Sequence, residues 1–326
     1  MTLPYLLRLI CLCLASFFLL HAAAAILVWI GAPAALRVAE RARPGFSAKF
    51  LFVFRMFPLA LSLFVIAGFC IPSYLWLEPV STGEKVGFAC IGAATLGAAV
   101  WFLSLFRVGF SLLRTSRYMS NCERDGQEVA MDGESSPVLV VKREAPLMAI
   151  AGLFRPKLIV SRCVLHKLTP EQREAAFRHE QAHRASRDNL KRFLYLLAPD
   201  AFPFISGFKR IERQWARYTE WAADDHAVNG DSERALSLAA ALVSVAKLGT
   251  AHQPSYLLSS LVAEDEDLAV RVDRLLREQQ YAEKPLAPLV QVARNVALVG
   301  GGLVIAALVW PGSLGSVHQI LEKLIQ

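Results

Sequence analysis

His179, Glu180, Gln181, Ala182 and His183 form an HExxH sequence within a stretch that reads as a charged, water-compatible helix. Residues four apart on an α-helix lie on one face, one turn above the other, so both imidazoles can reach a single metal ion. Glu180 projects about 100° round from His179, beside the ion rather than onto it. A carboxylate there can hold a water next to the ion and take its proton. Two histidine ligands with such a base are the working core of zinc-dependent peptide hydrolysis. Five residues alone are only suggestive, because chance supplies the pattern on the order of once per hundred chains of this composition.

The helix bearing this sequence opens on a legible signal. Thr169 precedes Pro170 and is followed three residues later by Gln172, the pattern of a capping box with proline at the first helical position. Nothing in the sequence stops this helix before Pro199. A catalytic zinc ion usually takes three protein ligands and leaves one position open, so a third ligand is required. Glu220 is the candidate, in a second helical stretch, 208–228, closed by Asn229 and Gly230. Its same-face neighbours Ala216, Ala223 and Ala227 are small enough to let two helices share an ion. Asp224 projects from nearly the same face, placed to accept the N–H of a ligating histidine. The competing reading makes Glu220 and Asp224 a solvated acidic edge, the commoner fate of such pairs.

These helices must be held somewhere, and composition says where. Of the 326 residues, 55% are hydrophobic, and the mean hydropathy of +0.39 exceeds what a soluble domain usually reaches. Four windows have the roughly 20 residues that a hydrocarbon core demands: 9–30, 56–77, 86–106 and 286–310. The first holds no ionisable group apart from His21 and the cysteines, the next two hold no charge, and the last contains Arg294 and Asn295. Arg37, Arg41, Arg43, Lys49 and Arg55 against Glu40 alone make the first connection cytoplasmic, whereas the second, with Lys85 as its basic residue, lies outside. Arg107, Arg114 and Arg117 then return the chain to the cytoplasm. This places the N-terminus outside, the HExxH inside and a tail, 311–326, outside again. A cleaved signal peptide, with Arg8 before the apolar run and small residues at 22–25, competes for the N-terminus. The run continues through Trp29 and Ile30, longer than a usual signal sequence, which favours an uncleaved span.

The six cysteines form neither a disulfide framework nor a zinc module, since Cys11, Cys13, Cys70 and Cys90 fall in spans and Cys122 and Cys163 are isolated. The net charge of +7, with a pI near 9.2, lies largely in loops flanking spans, so anionic headgroups account for it and no nucleic-acid partner is expected. The fold class is therefore a mainly α membrane protein. A first part, 1–114, holds three transmembrane helices, a cytoplasmic α+β domain occupies 115–285, and a fourth span, 286–310, leads to the tail. Within the domain, 120–136 reads as a polar linker or surface loop, and 138–141 and 158–160 as strands. The second strand is expected to edge an active-site cleft, where an extended substrate could add to it.

The segments FRPKLIVS, LTPEQREAAFRHEQAHRASRDNL and ERQWARYTEWAADDHAV resemble the BlaR/MecR-type family of bacterial membrane metallopeptidases, which are gluzincins with a downstream glutamate ligand. The resemblance is strongest over 153–228 and extends to the order of three spans before the domain and one after. It implies zinc on His179, His183 and Glu220, Glu180 as general base and Asp224 supporting a ligand. The chain is similar, more distantly, to HtpX-type membrane proteases. Well-known members of the first family carry a penicillin-binding sensor after the fourth span, where this sequence has 311–326, so sensing of a β-lactam in that manner is not expected. Val317, Ile320, Leu321 and Leu324 in the tail have helical spacing and read first as a membrane-surface helix.

Several residues admit two readings. Asp188 either supports the site or belongs, with Asn189, to a solvated helix face. His226 is expected to face away from the metal, at about 240° from Glu220. Arg271 reads as an exposed basic position before it reads as a partner of a site carboxylate. Glu264 begins an acidic run read as solvated, and Arg294 is expected to snorkel to the interface. Pro199 and Pro203, with Phe202, Phe204 and Ile205, read as an apolar packing turn between the two metal-binding helices. The function these readings imply is a zinc endopeptidase of a bacterial inner membrane. It would cut a cytoplasmic or juxtamembrane protein, with a transcriptional repressor or a separate sensor as partners suggested by resemblance. A quality-control protease of HtpX type and an idle receptor or scaffold are the alternatives.

Overall fold

The computed structural model describes residues 4–78, 86–131, 137–142, 146–200, 207–248, 258–260, 265–277 and 312–325. The fourth apolar window with Arg294, the turn residues Phe202, Pro203, Phe204 and Ile205, and Glu264 lie outside these. Among the described residues, three helices are long and apolar enough to cross a membrane. The first is α1, Tyr5–Glu40; the second is composite, with α2 at Pro44–Val65, a π-helical turn at Ile66–Cys70 and α3 at Ile71–Leu77; the third is α4, Phe88–Asp125. Leu27, Trp76, Phe88 and Phe102 point outward, uncovered by protein, as a lipid-facing surface requires. Gly97 sets the separation of α1 and α4, because a Cβ there would lie 2.4 Å from the carbonyl oxygen of Leu14.

At 38 residues α4 extends about 57 Å, nearly twice a hydrocarbon core of ~30 Å. Its last turns replace much of the expected loop at 120–136: the helix runs to Asp125, and Gly126–Val129 follows as strand β1. Those turns look like a loop in sequence because Tyr118 and Cys122 alone turn inward while the residues around them stay solvated.

The sheet has the order β1-β2-β4-β3-β5, with β2 at Val138–Val141, β3 at Met148–Ala151, β4 at Lys157–Ser161 and β5 at Leu258–Ser260. Strands β2 and β4 run parallel, and the other neighbours are antiparallel. Both strands expected from the sequence are present. However, β4 is central, paired on one side with β2 and on the other with β3, so it offers no free edge to a substrate. The continuous apolar runs follow from burial on two faces. Val138, Val140, Ile150 and Val160 pack under the helical layer, while Leu139, Val141, Ala149 and Ile159 pack against Tyr118 and Cys122 of α4.

The helical layer begins with the short α5, Arg162–Lys167, and continues with α6, Pro170–Ser186, α7, Asp188–Leu197, α8, Gly207–Val228, α9, Ser232–Ala246, and α10, Asp265–Arg277. The capping box of Thr169 and Gln172 forms as expected. The helix does not run on to Pro199, because Arg187 takes a left-handed conformation, φ 55°, and separates α6 from α7. Helix α8 lies between α6 and the α1–α2 pair, where Ile211, Trp215 and Tyr218 pack against Val28, Leu36 and Leu51.

The end of α7 is driven into the apolar bundle. Ala198 is buried among Leu12, Phe17 and Leu59. Polar contacts fix the segment there: His21 Nε2 lies 2.9 Å from Pro199 O, and Ser104 Oγ donates to Leu196 O at 3.1 Å. Buried Arg55 donates to Asp200 at 2.7 Å and to Glu212 at 3.0 Å, and Arg107 donates to Asp200 at 2.9 Å. The packing role expected of this turn is thus seen at Ala198 and Pro199. In the tail helix α11, Ser313–Ile325, Val317 and Leu321 pack with Ile66, Cys70 and Tyr74 of the bundle while Ile320 stays exposed.

Gly97→Leu is expected to destabilise the protein by about 1–3 kcal/mol, because the obstacle is backbone and cannot rotate away. Gly92→Leu is the control, with nothing within 4 Å of an added Cβ. Thermal unfolding in detergent micelles should show a lowered midpoint for the first and little change for the second.

Candidate metal centre

Helix α6 sets His179 and His183 one turn apart, with both rings buried and their Nε2 atoms 3.1 Å from one another. Helix α8 brings Glu220 to the same point. Its Oε2 lies 3.5 Å from His179 Nε2 and its Oε1 lies 3.6 Å from His183 Nε2. Of the small residues expected on this face, Ala223 and Ala227 are buried, and Ala216 is half-buried and packs with the α1 and α2 cluster. A four-coordinate ion with bonds of about 2.0–2.1 Å spaces its ligand atoms roughly 3.3–3.4 Å apart. The three observed separations bracket that value, so this buried group could hold a metal ion.

Both ring Nδ1 atoms face carboxylates. His179 Nδ1 lies 2.9 Å from Asp224 Oδ1, and His183 Nδ1 lies 2.8 Å from Asp188 Oδ2. A proton shared at Nδ1 leaves each Nε2 lone pair directed at the common point and keeps the rings from turning. Asp224 was anticipated from its place one turn after Glu220. For Asp188 the helix break decides between the two readings: in an unbroken helix it would sit about 140° round from His183, whereas the turn at Arg187 folds the start of α7 back towards the ring. Lys191 then binds the other oxygen of Asp188 at 2.8 Å. Asn189, also buried, donates to Ile150 O and Gly152 O at 3.0 Å each and so ties α7 to the end of β3.

Arg271 is buried rather than exposed, which corrects the favoured reading. Its Nε and Nη2 donate to the two oxygens of Asp224 at 2.9 and 2.7 Å, and its Nη1 lies 3.3 Å from Glu220 Oε2. The missed signal was its register, because Arg271 belongs to the inward stripe of α10 with Leu268, Val272 and Leu275. His226 is exposed and faces away, as expected. Glu180 is fully buried, and neither of its carboxylate oxygens has a hydrogen-bond partner. Such a group costs about 1–3 kcal/mol or more, so it marks a place where something other than stability is served. A cavity of about 260 Å³ reaches His183 between the Gly152 to Pro156 turn and the α6–α7 junction.

Ionisation follows from the same contacts. Burial opposes charge on Asp224, but Arg271 and His179 overcome it and hold the carboxyl down at about 2. Burial likewise disfavours charge on Glu220, yet the two histidines and Arg271 keep it well below the usual carboxylate range. Glu180 lacks comparable partners, and burial pushes it up to about 7. For His183, burial favours the neutral ring, but Glu220 and Asp188 outweigh it and raise the group to about 10. No protein-family model and no curated protein matches the chain.

Two outcomes follow. Asp188→Ala and Arg271→Leu are each expected to weaken divalent-metal affinity about 10- to 100-fold while leaving the ligands in place, measured by competition with a chelating dye. Without metal, His183 contributes stability that is fully present below about 6.5, its ordinary value, and is lost as the pH rises through about 10. A metal ion must displace that proton, so near neutral pH uptake should release protons and affinity should rise with pH. Calorimetry in buffers of different ionisation heat reads both.

Proposed function

We propose that this protein is a membrane-embedded zinc metalloendopeptidase that hydrolyses peptide bonds of a cytoplasmic or juxtamembrane protein. The observation that carries the reading is Glu180, wholly buried and unpartnered beside a convergent His179, His183 and Glu220 group. A merely structural metal site has no use for such a carboxylate. Two imidazoles and one carboxylate leave a position open on a four-coordinate ion, which is the pattern of catalytic zinc rather than of closed structural sites.

When bound, zinc supplies polarisation of the peptide carbonyl and acidification of water. Glu180 takes the proton from the attacking water and later delivers it to the leaving amine. Its place near neutrality suits both directions of transfer. Asp224 and Asp188 hold the two rings in the tautomer that presents Nε2. Arg271 keeps Asp224 and Glu220 ionised.

The basic residues between α1 and α2 support an arrangement with the N-terminus outside a bacterial inner membrane and the site on the cytoplasmic side. The motif resemblance to BlaR/MecR-type peptidases supports a regulatory substrate such as a repressor, with quality control of HtpX type as the runner-up. An idle receptor is disfavoured, since nothing in that role maintains a buried, unpaired Glu180.

The test is to purify the protein in detergent, measure bound zinc and compare cleavage of membrane and cytoplasmic protein pools with Glu180→Gln. Zinc retained in both, with cleavage reduced about 10²- to 10⁴-fold in the variant, is the expected result. Equal cleavage by both forms would sink the role of Glu180, and a protein that never binds metal would sink the ligand assignment.

A further inference from the structure

Two thiols meet across the seam of α1 and α4, about 15 Å along α1 from His21, which grips the turn after α7. Cys11 Sγ lies 4.0 Å from Cys90 Sγ. Cys90 is completely buried, whereas Cys11 is half-buried. Cys11 stands about 9 Å along α1 from its first residue and Cys90 about 3 Å along α4, so both lie near helix ends. The seam is closed firmly just beyond them, where Gly97 meets the backbone of Leu14. The two helices therefore hold a fixed separation at the thiols. A disulfide needs its sulfurs about 2.05 Å apart, and a swing of roughly 1 Å by each side chain closes the gap. Buried cysteines are commonly no more than small apolar fillers. What distinguishes this pair is the direct approach of two sulfurs on residues 79 apart in the chain, with Cys11 only half-buried.

We infer that Cys11 and Cys90 form a redox-modifiable pair whose disulfide ties α1 to α4. The chemistry is exchange with a donor disulfide, whether a protein or a small molecule. The Cys11 thiolate attacks one donor sulfur, forming a mixed disulfide and expelling one donor thiolate. The Cys90 thiolate then attacks the Cys11 sulfur, breaks the mixed disulfide and expels the second. Two electrons and two protons pass from the chain to the donor, which ends as two thiols. The consequence extends along the bundle, because α1 and α4 hold the end of α7 through His21, Ser104 and Arg107. The tie braces the frame from which the helices bearing Asp188 and Glu220 are hung.

The experiment treats the full-length protein in detergent with 2,2′-dithiodipyridine, alkylates the remaining thiols and maps peptides without reduction. The expected result is a peptide pair joined through Cys11 and Cys90, lighter by two hydrogens than its parts, abolished by dithiothreitol and absent from Cys90→Ser. Oxidation should also raise the melting midpoint of the natural sequence by several degrees and leave that of Cys90→Ser unchanged. If Cys90→Ser does not fold, Cys11→Ala takes its place in both comparisons. Recovery of Cys11 and Cys90 as alkylated or pyridyl-capped thiols, or Cys11 joined to another cysteine, would overturn the assignment. A Cys11–Cys90 crosslink with no change in melting would overturn the bracing.

Discussion

Four carboxylates, those of Glu180, Asp188, Glu220 and Asp224, are buried within one small region of this fold, and the rest of the structure is arranged around that concentration of negative charge. Burial of like charges is tolerable only when each is paired and hydrogen-bonded. Arg271 holds Asp224 through two hydrogen bonds and leans on Glu220, and Lys191 holds Asp188. The two histidines take the remaining short contacts. Arg271, Lys191 and Arg192 face these acids, and His179, His183 and Glu220 converge on a point that could hold a metal ion. Neither oxygen of Glu180 has a hydrogen-bond partner among the described residues, whereas Glu220 lies within ion-pair distance of Arg271 and both histidines.

The groups of the centre come from several elements, with His179 and His183 on α6. Asp188 and Lys191 come from α7, Asp224 and Glu220 from α8, and Arg271 from α10, so the centre depends on several helix positions at once. The apolar bundle supplies much of that positioning. Arg55, itself buried, pairs with Asp200 after α7 and with Glu212 on α8. The arginine is desolvated while its partners keep contact with water, and the low-dielectric surroundings strengthen the bonds it makes. His21 and Ser104 take backbone carbonyls at the end of α7 that would otherwise face apolar surroundings unpaired. Membrane-type helices and the helices of the candidate site thus share one framework, joined through α7 and α8.

Much of this was legible beforehand where the deciding physics is local. HExxH spacing specifies one helix face, the Thr169 capping box specifies a start, and unbroken apolar runs specify both the long helices and the two-sided burial of β2 and β4. Glu220 and Asp224 could be chosen because alanines mark the face on which helices meet. Other features were hidden because their cause is distant. Strand β1 and the end of α4 are polar on the outside and depend on a few inward residues. Strand β3 carries two alanines and a methionine, a weak local preference that pairing with β4 overrides.

The sequence by itself determined which residues can ligate a metal, which can act as a base and which stretches are apolar enough to seek lipid, since these follow from side-chain chemistry and helical period. Tertiary structure alone decided that Arg187 adopts a left-handed turn and delivers Asp188 to His183. It also decided that Arg271 turns inward to two acids, and that β4 sits at the middle of its sheet. Each of these is settled by a partner far away in the chain. A left-handed residue or a buried arginine is unfavourable locally and is held only by contacts that exist once the helices have packed.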